Sequence, residues 1–237
     1  MKKCKIEILY GVEGAKSAKG IAVIIDVFRA SSCVAYALSK GVKFIVPVAT
    51  AKEAFTLKKA HPNYILMGED RGIKIEGFDL GNSPFEILEL GNKLKDKIIV
   101  HRSSQGTQCI VNANNADEII IGSFPVAQAI ANYLNEKTST ILALVAAGGI
   151  GSIEKGSRGG EDEKFAKFLK EKILGKKPSV DPLIKYLETH EGARRFLDPN
   201  IPEFPSEDFS LCLATDIFDF VPVAIKTKDG LIIKKHE

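Results

Sequence analysis

The segment DVFRASS (26–32) places an acid, a base and two hydroxyls directly after an apolar run. Asp26 can serve as a nucleophile, a general base or a metal ligand at such a position. Arg29 can hold two oxygens of a phosphate or carboxylate in its planar fork, and Ser31 and Ser32 can offer hydroxyl and backbone N–H groups to an anion. The alternative is structural, with a local Asp26–Arg29 ion pair and serines that cap a helix. The spacing alone favours neither interpretation.

Five further segments carry polar residues or glycines where apolar runs end. They are GEDRG (68–72), GFDLGNSP (77–84), HRSSQGTQ (101–108), AAGGIGS (146–152) and RGGEDE (158–163), the last at the start of a helix. Ligands of open α/β sheets bind at the carboxyl ends of strands, so these segments are candidates for one site. Taken singly, HRSSQGTQ is better explained as a turn with a hydroxyl cap, and AAGGIGS equally suits a tight strand–loop junction. AAGGIGS is not a Walker loop, since no GK[ST] follows it.

The acidic residues of these segments indicate what else the site could hold. Glu69 and Asp70 follow an apolar stretch, whereas the acids at 161–163 would most often only complement a helix dipole. Two or three carboxylates converging with Asp26 would suit Mg²⁺, which prefers carboxylates and retained waters. The histidines lack metal-ligand spacing, and of these only His101 adjoins a candidate segment. An anion site beside a hard metal suits phosphoryl transfer or hydrolysis, although it does not define that reaction uniquely.

The elements that must position these residues alternate between strands and helices. Strands are predicted at 5–9, 21–27, 44–48, 65–67, 98–101, 118–121, 141–145 and 222–226. Helices are predicted from Ala30 to just before Gly41 and at 51–61, 84–90, 123–134 and 161–174, with Thr50 and Glu53 forming a capping box. Two or three short helices are predicted after about residue 176. This rhythm predicts a three-layer α/β/α sandwich with a mostly parallel, mixed sheet. Lys228-Asp229-Gly230 predicts a hairpin turn.

Composition and charge restrict the class of protein. With 237 residues, 45% of them hydrophobic and a net charge of +3, the chain suits a single globular domain and argues against nucleic-acid binding. The proline-richer part from about residue 176 could form a small subdomain. No apolar stretch reaches the ~18 to 20 residues of a membrane helix, the N-terminus does not resemble a secretory signal, and the four cysteines are far apart. We therefore expect a cytoplasmic protein, in which DFSLCLA (208–214) forms either core or a homodimer surface.

Taken together and in this order, the segments resemble the 2-phosphosulfolactate phosphatase family. The matching stretches are VIIDVFRASS, GEDRGIKIEGFDLGNSPFE, QGTQ, IIIGSFPVAQAIANYL, AAGGIGS, GGEDEKFAKFL and DIFDFVPVAI, which extend from about residue 22 to 225. The combination of GFDLGNSP with an upstream DVxRA[ST][ST] is specific, whereas any one piece would be weak. The family's polar motif positions fall on Asp26, Arg29, Ser31, Ser32, Glu69, Asp79, Asn82, Ser83, Gly106, Thr107, Glu161 and Asp162.

The resemblance implies a Mg²⁺-dependent phosphatase that converts 2-phosphosulfolactate, a small anionic substrate, into sulfolactate and phosphate on the way to coenzyme M. We assign Mg²⁺ to Asp26, Glu69 and Asp162, and catalysis to Asp26 and Arg29. Substrate and phosphate binding is assigned to Ser31, Ser32, Arg71, Asn82, Ser83, Arg102, Ser104, Gly106 and Thr107. Within this set, Arg71 or Arg102 would pair with the sulfonate or carboxylate. Attack could come from water or from Asp26 itself, but the haloacid-dehalogenase pattern does not apply because Phe28 occupies its second aspartate position.

Two departures from the family pattern concern the substrate. The family usually has threonines where Ser31 and Ser32 stand, and a Thr-Asn-Gly-Thr type of loop where this chain has residues 104–107. The substrate could therefore be a different phosphorylated or sulfonated acid. Two other functions remain open at this point. One is an anion-binding regulatory module without turnover, and the other is a metal-dependent hydrolase or lyase of another carboxylic acid.

Overall fold

Apolar segments rich in β-branched residues form a ten-stranded sheet in the computed structural model, which describes residues 5–138, 141–148, 160–189 and 191–236. The strands are β1 Lys5–Tyr10, β2 Ile21–Ile25, β3 Phe44–Pro47, β4 Ile65–Asp70, β5 Ile73–Lys74, β6 Ile98–Arg102, β7 Glu118–Gly122, β8 Ile141–Ala146, β9 Val221–Thr227 and β10 Gly230–His236. The eight predicted strands and the predicted hairpin are confirmed, with bounds that differ by a few residues.

The helices cover the sheet. They are α1 Gly11–Ser17, α2 Ala30–Ser39, α3 Ala51–Ala60, α4 Pro84–Leu90, α5 Gly106–Asn112, α6 Ala127–Glu136, α7 Glu161–Ile173, α8 Asp181–Thr189, α9 Glu191–Arg194 and α10 Ser206–Leu213. Short 3₁₀ turns occupy Gly91–Leu94, Phe124–Val126 and Arg195–Leu197. The three-layer α/β/α architecture predicted from the sequence is confirmed. In the described part of the chain, every helix is too short or too polar to cross a membrane.

The sheet order is β1-β8-β2-β7-β9-β10-β3-β6-β4-β5. β1, β8, β2 and β7 are parallel to one another, and β3, β6 and β4 form a second parallel group. The β9–β10 hairpin joins the two groups through three successive antiparallel pairings, β7 with β9, β9 with β10 and β10 with β3. The two parallel groups therefore run in opposite directions, which the alternating sequence pattern did not predict.

Because of this strand order, and contrary to the prediction from the sequence, the candidate segments do not follow neighbouring strands at one common edge of the sheet. Four strands separate β2 from β6, so a flat sheet would hold them roughly 24 Å apart. Yet a Cβ built on Gly106, after β6, would lie 2.7 Å from Oδ2 of Asp26, after β2. The chain between β6 and Gly106, together with the twist that large mixed sheets have, accounts for this approach. Loops from two oppositely directed groups, rather than from one common edge, converge on Asp26.

Local signals explain where the helices begin. Thr50 caps α3 by accepting a hydrogen bond from Glu53 N–H at 3.2 Å, and the Glu53 carboxylate completes the predicted capping box. Ser83 caps α4 by accepting a hydrogen bond from Glu86 N–H, with Pro84 in the first turn. Before residue 176, two helices were not predicted. Both α1 and α5 have only seven residues and contain glycine at their first position, so neither shows a long apolar period.

The segment DFSLCLA belongs to the interior. It lies in α10, where Cys212 and Leu213 are buried with the main apolar core and Phe209 packs against that core. The aromatic rings of Phe28, Phe196 and Phe209 lie within 6.3 Å of one another, centroid to centroid. The C-terminal part of the chain is thereby packed against the loop that follows β2, next to the candidate segment 26–32.

Candidate functional site

Asp26 lies at the centre of the converging loops. All five residues of β2 are buried, so the strand delivers Asp26 into the interior. Its Oδ1 accepts a hydrogen bond from Ala30 N–H at 3.1 Å, and its own N–H donates to Ser31 Oγ at 3.0 Å. Burial is the main cause that raises the pKa of Asp26, to about 6; the charge of Glu69 contributes in the same direction, while hydrogen bonds from the Ala30 and Gly106 N–H groups lower this pKa. Asp26 is therefore a buried carboxyl group that can exchange a proton near neutral pH.

Asp162 connects two loops beside Asp26. It lies in the first turn of α7, where Oδ1 accepts from Val27 N–H at 2.7 Å and Oδ2 accepts from Gly148 N–H at 3.0 Å. Burial raises the pKa of Asp162 well above its usual value, and the charges of Glu161 and Asp26 add to this effect. The carboxylate thus holds the loops after β2 and β8 together while it adds negative charge to the same region.

Glu69 does the same for the loops after β4 and β6. Its Oε1 accepts from Ser104 N–H at 2.6 Å, and its Oε2 accepts from the Ser104 hydroxyl at 3.1 Å and from Gly72 N–H. Because Asp26 interacts electrostatically with both Glu69 and Asp162, the structure brings the three carboxylates of the predicted metal set to one region.

The carboxylate oxygens of Asp26, Glu69 and Asp162 meet part of what the binding of a hard cation such as Mg²⁺ requires. Within the described ranges, no group of three or more His, Cys, Asp or Glu side chains is arranged to hold a metal ion. However, Mg²⁺ commonly uses only one or two carboxylates and keeps several waters. Each carboxylate oxygen that accepts one N–H retains a further lone pair. The oxygens of Asp26 and Asp162 and the Oε1 of Glu69 therefore fit water-assisted binding of Mg²⁺ rather than a closed protein cage, whereas Glu69 Oε2 already accepts two hydrogen bonds.

Arg29 does not pair with Asp26. Its Nη1 donates to Asp208 Oδ2 at 2.7 Å and to the Glu203 carbonyl at 2.9 Å, while Nη2 donates to the Gly72 carbonyl at 3.3 Å. The guanidinium carbon lies 4.7 Å from the centre of the Phe204 ring, and the side chain is only 4% exposed. The local ion pair suggested by the spacing is absent because Asp208, 179 positions away, binds Arg29 instead. Arg29 thus joins the C-terminal part of the chain to the turn after β4.

Asp208 is the site residue that sequence reasoning missed. It is fully buried, and its Oδ1 accepts from the Ser83 hydroxyl at 2.9 Å and from Phe85 N–H at 2.8 Å. Burial raises the pKa of Asp208, while the charge of Arg29 and these hydrogen bonds act in the opposite direction. Nothing in the sequence links Asp208 to Arg29, because the two residues are 179 positions apart and the acids at the start of α10 would be interpreted as complementing its dipole.

The predicted anion-binding hydroxyls hold the loops in place. Ser31 Oγ donates to the Ile24 carbonyl at 3.3 Å and Ser32 Oγ donates to the Val27 carbonyl at 2.9 Å. Thr107 Oγ1 accepts from Ser103 N–H at 2.8 Å and donates to its carbonyl at 3.0 Å. Their contact with a phosphate stays a prediction.

The remaining predicted residues lie in three places: next to Glu69 and Asp70, beside the start of α4, and on the α3 side of the sheet. Arg102 and Arg71 adjoin the carboxylates: Arg102 Nη1 contacts Asp70 Oδ1 at 3.0 Å, and Arg71, exposed and with a φ of 52°, donates its N–H to Ser104 Oγ at 2.9 Å. Asn82 Oδ1 is hydrogen-bonded to Nε2 of the buried His101 at 2.9 Å, beside the cap of α4. Asp79, by contrast, binds Lys58 and the Leu66 N–H on the α3 side of the sheet. Residues 149–152 and 158–159 of two candidate segments lie outside the described residues.

The fold and these contacts define an α/β protein with a buried acidic site at the junction of four loops. Comparison with known proteins shows its family: residues 10–227 match the family described as 2-phosphosulpholactate phosphatase, and the chain belongs to that family. The resemblance noted from the sequence is thereby confirmed.

Several relatives share the name "Probable 2-phosphosulfolactate phosphatase". One from Bacillus subtilis (strain 168) is 32% identical over 219 residues, which cover 91% of this chain and 92% of the relative. One from Thermotoga petrophila is 32% identical over 222 residues, with the same coverage of 91% and 92%. One from Carboxydothermus hydrogenoformans is 44% identical over 131 residues, covering 55% of this chain and 53% of the relative.

Proposed function

We propose that this chain hydrolyses the phosphate monoester of 2-phosphosulfolactate, or of a closely related phosphorylated 2-hydroxy acid, to release phosphate and the 2-hydroxy acid. Family membership supports the reaction class. The observation that carries the proposal is Asp26, a buried carboxyl group with a pKa of about 6 at the junction of glycine-containing loops. Such a pKa allows efficient proton exchange at the pH of a cell.

The proposed chemistry begins at Asp26. At neutral pH its carboxylate is mostly ionised, so it can take a proton from an attacking water or attack the phosphorus itself. The N–H groups of Ala30 and Gly106 fix the orientation of this carboxylate. Asp162 and Glu69 hold the surrounding loops, and either could supply a second oxygen to Mg²⁺. When bound, Mg²⁺ would polarise the phosphoryl group and offset the negative charge of the site.

The charge balance disfavours a module that only binds anions. Asp26, Glu69 and Asp162 place negative charge at the loop junction, while the nearby Arg29 is neutralised by Asp208. An anion bound here without a cation would be repelled. A phosphatase that uses Mg²⁺ together with the exposed Arg71 at the site's edge accounts for both the acidic residues and an anionic substrate.

A phosphatase assay with a panel of phosphorylated 2-hydroxy acids tests the proposal. We expect phosphate release from phosphosulfolactate or from phospholactate or phosphoglycerate, and we expect EDTA to stop it and added MgCl₂ to restore it. Phosphate release that is unaffected by EDTA would contradict the role of Mg²⁺. No release from any member of the panel with MgCl₂ present would contradict the proposed reaction.

Gly106→Ala is expected to lower kcat/KM by about 10²-fold, because displacing a reacting group by about 1 Å has an effect of that size. The added Cβ would lie 2.7 Å from Asp26 Oδ2 and 2.8 Å from Ala30 Cβ, so the Asp26 carboxylate would have to move. Steady-state kinetics with the best ester of the panel would measure the loss. Gln105→Ala, at the half-buried neighbouring position, is the matched control. Equal activity of the Gly106 variant and this control would show that the position of Asp26 is not critical.

A further inference from the structure

Ser123 carries a buried hydroxyl that the fold does not use. It follows β7, is fully buried, and has extended backbone geometry with φ −151° and ψ 165°. Its Oγ has no hydrogen-bond partner within the described ranges, and it does not cap the 3₁₀ turn that begins at Phe124. Ser31, Ser32, Ser104 and Thr107, in contrast, all use their hydroxyls to bind neighbouring loops. Because an unpaired buried hydroxyl destabilises a fold, such a group points to a partner other than the described residues.

The sheet places Ser123 beside Asp26. Ile25 of β2 is opposite Gly122 of β7 in their parallel pairing, so Asp26 and Ser123 are the next positions along the two strands. Neighbouring strands lie about 4.8 Å apart, and the two residues are therefore neighbours at the strand ends.

The direction of the Ser123 side chain follows from its neighbour. A Cβ built on Gly122 would meet Val23 Cγ1 at 2.6 Å and the ring of Phe165 in α7 at 3.5 Å, so position 122 faces α7. Successive side chains of an extended segment alternate between faces, which directs Ser123 away from α7. Asp26 also lies on that opposite face, where its carboxylate contacts Gly106 of α5. Ser123 and Asp26 therefore share one side of the sheet.

We infer that the Ser123 hydroxyl is a ligand-binding group of this site, which donates a hydrogen bond to an oxygen of the phosphoryl group held next to Asp26. This inference rests on the proposed phosphatase function. A phosphoryl oxygen beside the Asp26 and Asp162 carboxylates requires donors, and Ser123 supplies a buried hydroxyl that no structural contact in the described chain competes for. The ligand class is a tetrahedral oxyanion, either the phosphate monoester or free phosphate.

Ser123→Ala tests the role because it separates binding from stability. Loss of one hydrogen bond to a charged group should lower kcat/KM by between about 10- and 100-fold and should weaken competitive inhibition by inorganic phosphate by a similar factor. The melting temperature should be unchanged or higher, because the variant removes a hydroxyl that has no partner in the free protein. Ser39→Ala is the control: Ser39 Oγ donates to the Tyr36 carbonyl at 2.7 Å at the far end of α2. That variant should keep wild-type kinetics.

Wild-type kinetics and phosphate inhibition in Ser123→Ala would overturn the inference, and so would a loss of activity that merely follows a lower melting temperature. If the wild-type chain hydrolyses none of the esters, the proposed function fails, and phosphate binding still tests Ser123. Inorganic phosphate with MgCl₂ should then raise the melting temperature of the wild type more than that of Ser123→Ala. Equal shifts in the two proteins, or no shift in the wild type, would refute the role of Ser123.

Discussion

Asp26→Asn is expected to lower kcat by about 10³-fold or more without unfolding the chain. A positioned general acid or base contributes about 10²- to 10⁴-fold, and a nucleophile contributes at least as much. Asparagine has nearly the same shape and can still accept the Ala30 N–H, so the loop after β2 should keep its conformation. Kinetics and circular dichroism on the same preparation would measure both effects. Full activity in Asp26→Asn would exclude Asp26 from the reaction.

The same variant should change how stability depends on pH. The pKa of Asp26 is about 6 in the folded chain, against 3.8 for the ordinary group, so between these values the folded state binds the proton more tightly. The free energy of unfolding of the metal-free wild type should therefore fall as the pH rises from about 4 to about 6, by on the order of 3 kcal/mol from this residue. Denaturant titrations in EDTA should show a smaller fall for Asp26→Asn. Asp162, whose pKa is also raised, would retain part of the slope. Identical slopes in the two proteins would contradict the raised pKa.

Asp208→Ala is expected to destabilise the chain by about 3–5 kcal/mol, the usual result of removing one partner of a buried ion pair. Arg29 would keep its charge in the interior, with only the Glu203 and Gly72 carbonyls as acceptors, and the Ser83 hydroxyl would lose its acceptor. For a chain of this length the melting temperature should fall by about 6–20 °C. Thermal unfolding followed by circular dichroism would detect such a change.

Two further variants show whether the unpaired charge is the cause. Glu13→Ala removes an exposed partner of Lys16 and should change the free energy of unfolding by less than about 0.5 kcal/mol. Arg29→Met combined with Asp208→Leu removes both buried charges and should recover much of the stability lost in Asp208→Ala. If Asp208→Ala melts like the wild type, the Arg29–Asp208 pair does not hold the C-terminal part in place.

Local features of the fold could be predicted because their causes are local. The Thr50 capping box, the Ser83-Pro84 helix start and the five buried residues of β2 each depend on a few neighbouring side chains. The direction of the second parallel group could not be predicted, because it depends on where the β9–β10 hairpin inserts. That insertion joins β7 and β3, which are separated by more than 70 positions in the sequence.

In the candidate site, too, the sequence indicated which residues are present but not which residues they contact. Asp26 and Glu69 were predicted because each carboxylate follows an apolar run, whereas Asp162 was added because it falls on a polar motif position of the family that the sequence resembles. The partner of Arg29 could not be predicted from the sequence. Residue spacing suggested Asp26, whereas in the fold Arg29 binds Asp208. Ser123 was predicted only as the start of a helix. The spacing of residues does not show whether a buried hydroxyl has a hydrogen-bond partner, because that depends on the packing around it.

The central position of the β9–β10 hairpin has a consequence for how the chain matures. Residues 221–236 are synthesised after every other strand, yet they bridge the two parallel groups of the sheet. Until they emerge from the ribosome, β7 and β3 each present an unpaired edge, a feature that promotes association between chains. The long-range pairing of this hairpin also makes the last folding step slow relative to local helix formation. Nascent chains of this protein should therefore be prone to association until residues 221–236 have paired with β7 and β3, although every named residue of the acidic site has been made by then.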